Sequence, residues 1–401
     1  MDGHQLALLD VEPAAVDPAP ESAMAAVHGA SRAPMYLVRW LTANDTGMTG
    51  SHQAGYLIPM GAWRLFFDRP GQKGENLEQL VTIEWSGYGP TESRATWYGN
   101  KTRREYRLTR FGRGFPFRGE AHVGSLLVMH PEDDHLRAHV LEHDAEIDGF
   151  LAGAGLTAAD VGGLVVRGER PDDCLRRFVE QVLAQHAGFP PTAQMAAYAQ
   201  HAARECRDTT AAGPDHAIMD WTRVEYELFR AFEDRDFATE LGDDPIDRVE
   251  RLIELALPFT NRRKARAGRS LEHHVATCLE HAQVPFTAQA RTEGRNTLDF
   301  VFPSEQAYHD PSHPTDRLVA LGAKTSAKER WRQVLEEAER IPVKHLLTLQ
   351  PISHSTVRQM IERGLQPVVP RPAQGHFEQR VRGDLLSVSA FIDHARSVVT
   401  G

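Results

Sequence analysis

Cysteine is scarce in this chain, with only Cys174, Cys206 and Cys278 among 401 residues. None has metal-ligand spacing and three cannot make a disulfide framework, so a reducing cytoplasm fits. No apolar run approaches the roughly 20 residues that cross a bilayer, so no membrane partner is expected. The N-terminus lacks the basic-then-apolar order of a secretion signal. No internal repeat is found.

A basic excess is also missing: 45 Lys and Arg stand against 55 Asp and Glu, a net charge of −10. That would argue against nucleic acid only if the charge were evenly spread, and it is not. Lys101 to Arg118 holds seven basic residues and one acid, Glu105, and Arg262 to Arg269 holds five and none. Such islands make either phosphate-contact surfaces or solvated basic loops. The rest of the composition, 41% hydrophobic and 25% charged, is that of a soluble globular protein. The length allows two domains.

Residues 1–33, rich in Ala, Pro, Gly and Asp, read as a disordered tail. From Met35, short β-rich runs follow one another at 35–41, 55–59, 80–85, 94–98, 105–111 and 124–129, as in a barrel or sandwich. Helical patterns occupy 143–153 and 172–186. Residues 187–216, with Pro190-Pro191 and many alanines, read as the linker between a domain at 34–186 and one at 217–401. The second domain reads as α/β. Helical periodicity runs through 224–229 and 245–257, and Ser270 is placed as the N-cap of a helix whose apolar stripe is Leu271, Val275, Cys278, Leu279 and Ala282. Strands at 297–302 and 317–324, a helix at 327–340, a strand at 345–349, a helix at 355–363 and a strand from Gln366 complete the pattern.

The chemistry concentrates in two places. Asp299 lies in Thr-Leu-Asp-Phe-Val-Phe, and Lys324 opens Lys-Thr-Ser-Ala-Lys328-Glu329-Arg330-Trp-Arg-Gln-Val-Leu-Glu-Glu337. Phosphodiester hydrolysis needs a divalent metal to neutralise developing charge, and Mg²⁺ prefers carboxylate oxygens. A lysine beside the metal can orient the attacking water and stabilise the transition state. Such sites usually carry a second acid two residues before the lysine. Here that position is Gly322, and Glu337, aimed back from the 327–340 helix, can replace it. Glu272 could reach the metal or a bound water, or be an exposed helix glutamate. Taken alone, a solvated acid and lysine is the commoner origin of such a pair.

At these residues the chain resembles the EcoRII-type restriction endonucleases, the type IIE enzymes that recognise CC(A/T)GG. The resemblance runs through Ser-Leu-Glu272-His-His, Thr-Leu-Asp299-Phe-Val-Phe-Pro-Ser, Ala-Tyr308-His-Asp, the Lys324 to Glu337 segment and His-Leu-Leu-Thr-Leu-Gln. It continues in Thr-Asn-Arg262-Arg-Lys-Ala-Arg-Ala-Gly-Arg-Ser and, in the first domain, in Leu41-Thr-Ala-Asn-Asp-Thr-Gly-Met-Thr-Gly-Ser-His52-Gln and Lys101-Thr-Arg103-Arg-Glu105-Tyr-Arg107-Leu-Thr-Arg110. The match covers roughly residues 36–400 in order.

The resemblance implies an N-terminal, mainly-β DNA-binding pseudobarrel and a C-terminal α/β domain of the restriction-endonuclease-like class. It implies a Mg²⁺-dependent homodimer cutting double-stranded DNA 5′ of the first cytosine. Asp299, Lys324 and Glu337 would be catalytic, with Asp299 and Glu337 on the metal, Glu272 at the rim and Tyr308 near the scissile phosphate. Lys328, Glu329 and Arg330 would read the C·G pairs, since Lys and Arg donate to guanine and Glu accepts from cytosine. His52, Lys101, Arg103, Glu105 and Arg107 would hold a second copy of the DNA site as effector, and the first domain would cover the cleft until that copy binds. Tyr106 stands where the family has a lysine, Tyr56-Leu57 reverses a Leu-Tyr order, Glu329 replaces Asp, and the tail has no counterpart. A DNA-binding regulator on a dead nuclease scaffold and a monomeric mismatch-nicking enzyme are the other readings. The first would have lost Asp299, Lys324 or Glu337, and the second would not need an effector domain.

Overall fold

In the computed structural model the described residues are 20–49, 55–100, 103–168, 172–207, 213–241 and 262–400, apart from 264, 267 and 295. The first domain begins with helix α1 (Glu21–Arg32) and contains strands β1 (Met35–Trp40), β2 (Tyr56–Ile58), β3 (Asn76–Trp85), β4 (Gly89–Tyr98), β5 (Glu105–Thr109), β6 (Leu126–Glu132), β7 (His135–Leu141) and β8 (Gly163–Val166). Helix α2 (Asp144–Ala154) lies between the last two. The strands form one sheet in the order β2-β5-β4-β3-β7-β6-β1-β8, antiparallel except for β3 beside β7. The long β3–β4 hairpin turns on Gly87 and Gly89, whose φ angles of 79° and 116° suit glycine alone. One face of the sheet is filled by rings: Tyr56, Trp85, Phe111, Phe115 and Phe117 pack at centroid distances of 4.6 to 6.1 Å.

The second domain is built on a five-stranded sheet, β13-β12-β11-β10-β9. Its strands are β9 (Thr287–Arg291), β10 (Thr297–Phe302), β11 (Val319–Ala323), β12 (Lys344–Leu347) and β13 (Leu365–Val368). The first three pair antiparallel and the last three parallel. Helices α3 (Asp173–Gln185), α4 (Thr192–Arg207), α5 (Gly213–Leu241), α6 (residues 268–281) and α11 (Val388–Thr400) share one apolar core with Phe300, Phe302, Leu321 and Leu347. The short helix α7 (Glu305–His309) follows β10. Helices α8 (Trp331–Glu336), α9 (His354–Glu362) and α10 (Arg371–Gln374) share the other core with Leu298, Val301, Ala320 and Leu346. Strands buried on both faces read as the near-continuous apolar runs seen in the sequence.

Several expectations are corrected. Of the tail, residues 21–32 form α1, because Ala23, Ala26 and Ala30 give it a flat stripe that packs on α2; residues 1–19 lie outside the described residues. Much of the 187–216 stretch is helix rather than linker: α4 buries Met195, Ala199, Ala202 and Ala203 against α5. The helix at 245–257 lies outside the described residues, whereas 224–229 falls within α5. Ser270 is no N-cap. It sits inside α6, where its hydroxyl donates to buried Glu225 at 2.9 Å. Cys174 and Cys206 are bonded to each other, 5.6 Å apart at Cα, because the start of α3 meets the end of α4; their spacing of 32 gave no sign of it. The helix expected over 327–340 is only Trp331–Glu336. Strands β7 and β8 were not anticipated.

Candidate functional site

Asp299 is centred on β10 and is buried. Its Oδ2 accepts the backbone N–H of Ala323 at 2.7 Å and Lys324 Nζ at 2.9 Å. The antiparallel pairing of β10 with β11 brings the two together, since Phe300 faces Leu321 and Lys324 follows directly on the end of β11. Burial acts to lower the Lys324 pKa, but Asp299, Glu337 and Glu272 together raise it, so the ammonium is held charged.

Glu337 reaches the same place by a route the sequence did not suggest. It is the residue after α8, in extended conformation, and Ala338 behind it has a φ of 55°. Burial pushes its carboxyl up to about 7, with Asp299 adding to the rise and Lys324 opposing it. Its Oε2 is buried and has no hydrogen-bond partner among the described residues. Glu272 comes from α6. Burial and then the Asp299 charge raise it to about 8. Gln289 of β9 bridges it to Asp299, donating to Glu272 Oε2 at 2.9 Å and to Asp299 Oδ1 at 3.1 Å.

The donor set suits a hard divalent cation: carboxylate oxygens only, one of them without a partner, beside a lysine. The three acids do not form a closed cage, because their oxygens do not all lie within 4.8 Å of one another. Among the described residues the only group that tight is Asp172 with Cys174 and Cys206, the last two already bonded to each other.

Tyr308 is not brought to this group. It is buried on α7, where its hydroxyl meets the Glu293 carboxylate and accepts Arg340 N–H at 3.3 Å. Arg340 holds the segment in place through the carbonyls of Tyr308, Asp310 and His313.

Lys328, Glu329 and Arg330 lie together, and the first domain covers them. Three successive backbone N–H groups, from Lys328, Glu329 and Arg330, are accepted by Asp144 at 3.2, 2.9 and 3.2 Å. Lys328 Nζ donates to Ser125 Oγ at 3.1 Å and to Glu142 O at 3.0 Å. Glu329 pairs with His143 at 2.7 Å, and Arg330 with Asp148. Gln350 ties the arrangement from behind, accepting Ala327 and Lys328 N–H while its amide donates to Gly124 O at 3.0 Å. Asp144 and Asp148, four apart on one face of α2, were visible in the sequence but carried no reading, and neither did Gln350 or Gln289.

In the first domain, His52 and Lys101 lie outside the described residues. Arg103 is exposed. Arg107 is buried and paired with Glu105 at 3.1 Å, and its Nη1, like Thr96 Oγ1 and Arg94 Nε on neighbouring β4, is buried without a partner among the described residues. Strand β5 is interior, between β2 and β4. Tyr106 is buried in the core, its ring tilted against Trp97 at a centroid distance of 4.5 Å and its hydroxyl accepting Gly71 N–H at 2.6 Å. Tyr56 is likewise in the core, donating to Phe117 O at 2.8 Å, and the reversed order leaves Leu57 outward. The second basic island is partly internal. Arg263 pairs with Glu233 at 2.8 Å, and buried Arg266 lies over Phe229.

The family model of the EcoRII C-terminal domain matches residues 229–392, and that of the restriction endonuclease EcoRII N-terminal domain matches 29–151. The chain is 34% identical to the type II restriction enzyme EcoRII of Escherichia coli over 382 residues, covering 88% of this chain and 92% of that protein. This chain belongs to the EcoRII family. It is a type II site-specific deoxyribonuclease that binds double-stranded DNA, with the two-domain organisation of that family. Type II restriction enzymes generally depend on a divalent metal. Two solved structures of Ecl18kI also match. One is metal-depleted with uncleaved, modified DNA (TM-score 0.45, 19% identity, 56% of this chain and 84% of that one), the other metal-depleted with uncleaved DNA (0.35, 17%, 58% and 80%). No helix among the described residues is long and apolar enough to cross a membrane.

Proposed function

We propose that this EcoRII-family enzyme is a Mg²⁺-dependent homodimer that cuts CC(A/T)GG on the 5′ side of the first cytosine, and that a second copy of the site, held by the first domain, activates it. The observation that carries the cutting assignment is the meeting of Asp299, Lys324 and the partnerless Glu337 Oε2 at one end of the sheet. Asp299 and Glu337 would hold the cation, with Glu272 beside them. When bound, that cation supplies charge neutralisation and a more acidic water. Lys324 Nζ orients the nucleophile and meets the charge that develops on the phosphoryl oxygens. Lys328 and Arg330 would donate to guanine O6 and N7, and Glu329 would accept from cytosine N4. A near-palindromic target suits a two-fold dimer. Tyr308, engaged elsewhere, is left out of this set.

The regulatory half of the proposal is supported by what covers the reading segment. Asp144 and Asp148 offer carboxylates to three backbone N–H groups and to Arg330, much as DNA would offer phosphates. Bound this way, the segment cannot also meet bases, which makes the arrangement autoinhibited. His52, Lys101, Arg103, Glu105 and Arg107 would hold the effector copy in a pseudobarrel cleft, and the partnerless buried atoms of Arg107, Thr96 and Arg94 fit a ligand there.

The test is a Mg²⁺-dependent digest of a plasmid with one CC(A/T)GG site, with and without an added duplex bearing that site, the ends mapped by run-off sequencing. Cuts at the site that strengthen with the duplex are expected. Cuts without stimulation would remove the effector role, and tight binding without cuts would favour a regulator.

A further inference from the structure

Gln289 has no role in the reaction as described so far, yet it is built into the site with care. The β9–β10 ladder pairs Leu298 with Ala290 and Phe300 with Ala288, and skips the pair between them, Asp299 with Gln289. The interruption coincides with a Gln289 φ of 48°, left-handed backbone in the middle of a strand. A residue other than glycine holds that conformation only where its surroundings compel it, and such strain gathers at functional sites. The side chain accounts for what is gained. Both hydrogens of one amide NH₂ are spent on carboxylates from different elements, Glu272 Oε2 on α6 at 2.9 Å and Asp299 Oδ1 on β10 at 3.1 Å. The nitrogen thus occupies the space between the two acids that a cation bridging them would need, and it offers them positive polarity without a full charge.

We propose that Gln289 is a positioning residue that fills the bridge between Glu272 and Asp299 with its own amide, so that the cutting site takes a single divalent cation, on the Asp299 and Glu337 side, rather than two. This rests on the reading of Asp299 and Glu337 as metal ligands. Gln289 holds Glu272 in register and leaves Asp299 Oδ2 to Lys324.

The experiment counts Mn²⁺ bound per full-length chain, by electron paramagnetic resonance of the free ion, without DNA or turnover. Gln289→Gly is the first variant, because glycine accepts the left-handed backbone, which offsets part of what the two lost hydrogen bonds contribute, and folding is checked by Tm. Gln289→Glu is the second, and places a third carboxylate at the bridge. Both are expected to bind one more Mn²⁺ per chain than the unaltered protein, and Glu272→Gln added to Gln289→Gly is expected to remove the gain. The same Mn²⁺ count in the unaltered protein and both variants overturns the inference. An Asp299→Ala control separates this from failure of the underlying reading: if that variant binds Mn²⁺ and cuts DNA like the unaltered protein, the site itself has been misplaced.

Discussion

Asp144 Oδ2 accepts the backbone N–H of Glu329 at 2.9 Å across the boundary between the two domains. The same carboxylate group takes the N–H of both flanking residues, and it is buried. One acid of the first domain therefore organises the whole segment expected to read bases. The cutting group of Asp299 and Lys324 is already paired in this state. In the proposed autoinhibited reading, what is withheld is access to DNA rather than the meeting of Asp299 and Lys324.

Removing that acid should release the segment. Each lost hydrogen bond to a charged group contributes about 1.5–3 kcal/mol, and a shift of about 1–3 kcal/mol moves a two-state equilibrium about 5- to 150-fold. Asp144→Ala is therefore expected to raise cleavage of a one-site plasmid within that range while narrowing the stimulation by added duplex. Unchanged one-site cleavage at unchanged Tm would show that Asp144 does not hold the segment shut.

Lys324→Ala tests the cutting group directly. Its ammonium is within 2.9 Å of Asp299, and groups that stabilise transition-state charge are worth about 10²–10³ in rate. Cleavage is expected to fall by at least about 10²-fold. Specific duplex binding, followed by gel shift in Ca²⁺, is expected to persist, because Lys328, Glu329 and Arg330, the proposed reading residues, are unaltered. Cleavage at the normal rate would remove Lys324 from the site.

The sequence made the sheet of the second domain legible because β10 and β11 are nearly unbroken apolar runs, and it placed Asp299 and Lys324 on neighbouring strands. Glu337 was legible as a participant but not by its route. The periodic pattern continues past Glu336, yet the helix stops there and Ala338 turns the chain with a positive φ. Helices α1 and α4 were read as tail and linker because alanine supplies their buried faces, and alanine contributes little to an apolar pattern. Cross-domain partners such as Asp144 and Gln350 were out of reach, since one-dimensional spacing carries no information on which surfaces of two domains meet.

Gly322 occupies the position where such sites often carry their second acid, and the structure leaves a side chain little room there. A Cβ on Gly322 would lie 3.0 and 3.1 Å from the two methyl groups of Val334 on α8, inside the apolar core. Gly322→Asp is expected to cost about 1–3 kcal/mol from overpacking alone, with a further penalty for a buried carboxylate lacking partners. Thermal unfolding should report a lower Tm with no gain in cleavage. A variant with unchanged Tm and tighter Mn²⁺ binding would mean that Val334 moves aside and that the new acid joins the cation site.

His143 is expected to give the proposed closed arrangement a pH dependence. Its hydrogen bond to Glu329 raises its pKa above the ordinary histidine value, burial opposes this, and the charges of Glu329, Glu146 and Glu142 add to the rise. In an open arrangement the bond to Glu329 is gone and the value falls back. The ion pair therefore favours the closed form fully below the ordinary histidine pKa, and that contribution is lost as pH rises through the raised one. The side chains are 65% and 50% exposed, so the effect is small, about 0.2–1 kcal/mol for such a pair. The ratio of one-site to duplex-stimulated cleavage is expected to rise by at most about fivefold from pH 6 to pH 8; taking the ratio cancels the general gain in rate with hydroxide. His143→Gln is expected to flatten the ratio across that window. A ratio that climbs equally in the variant would assign the pH dependence to another group.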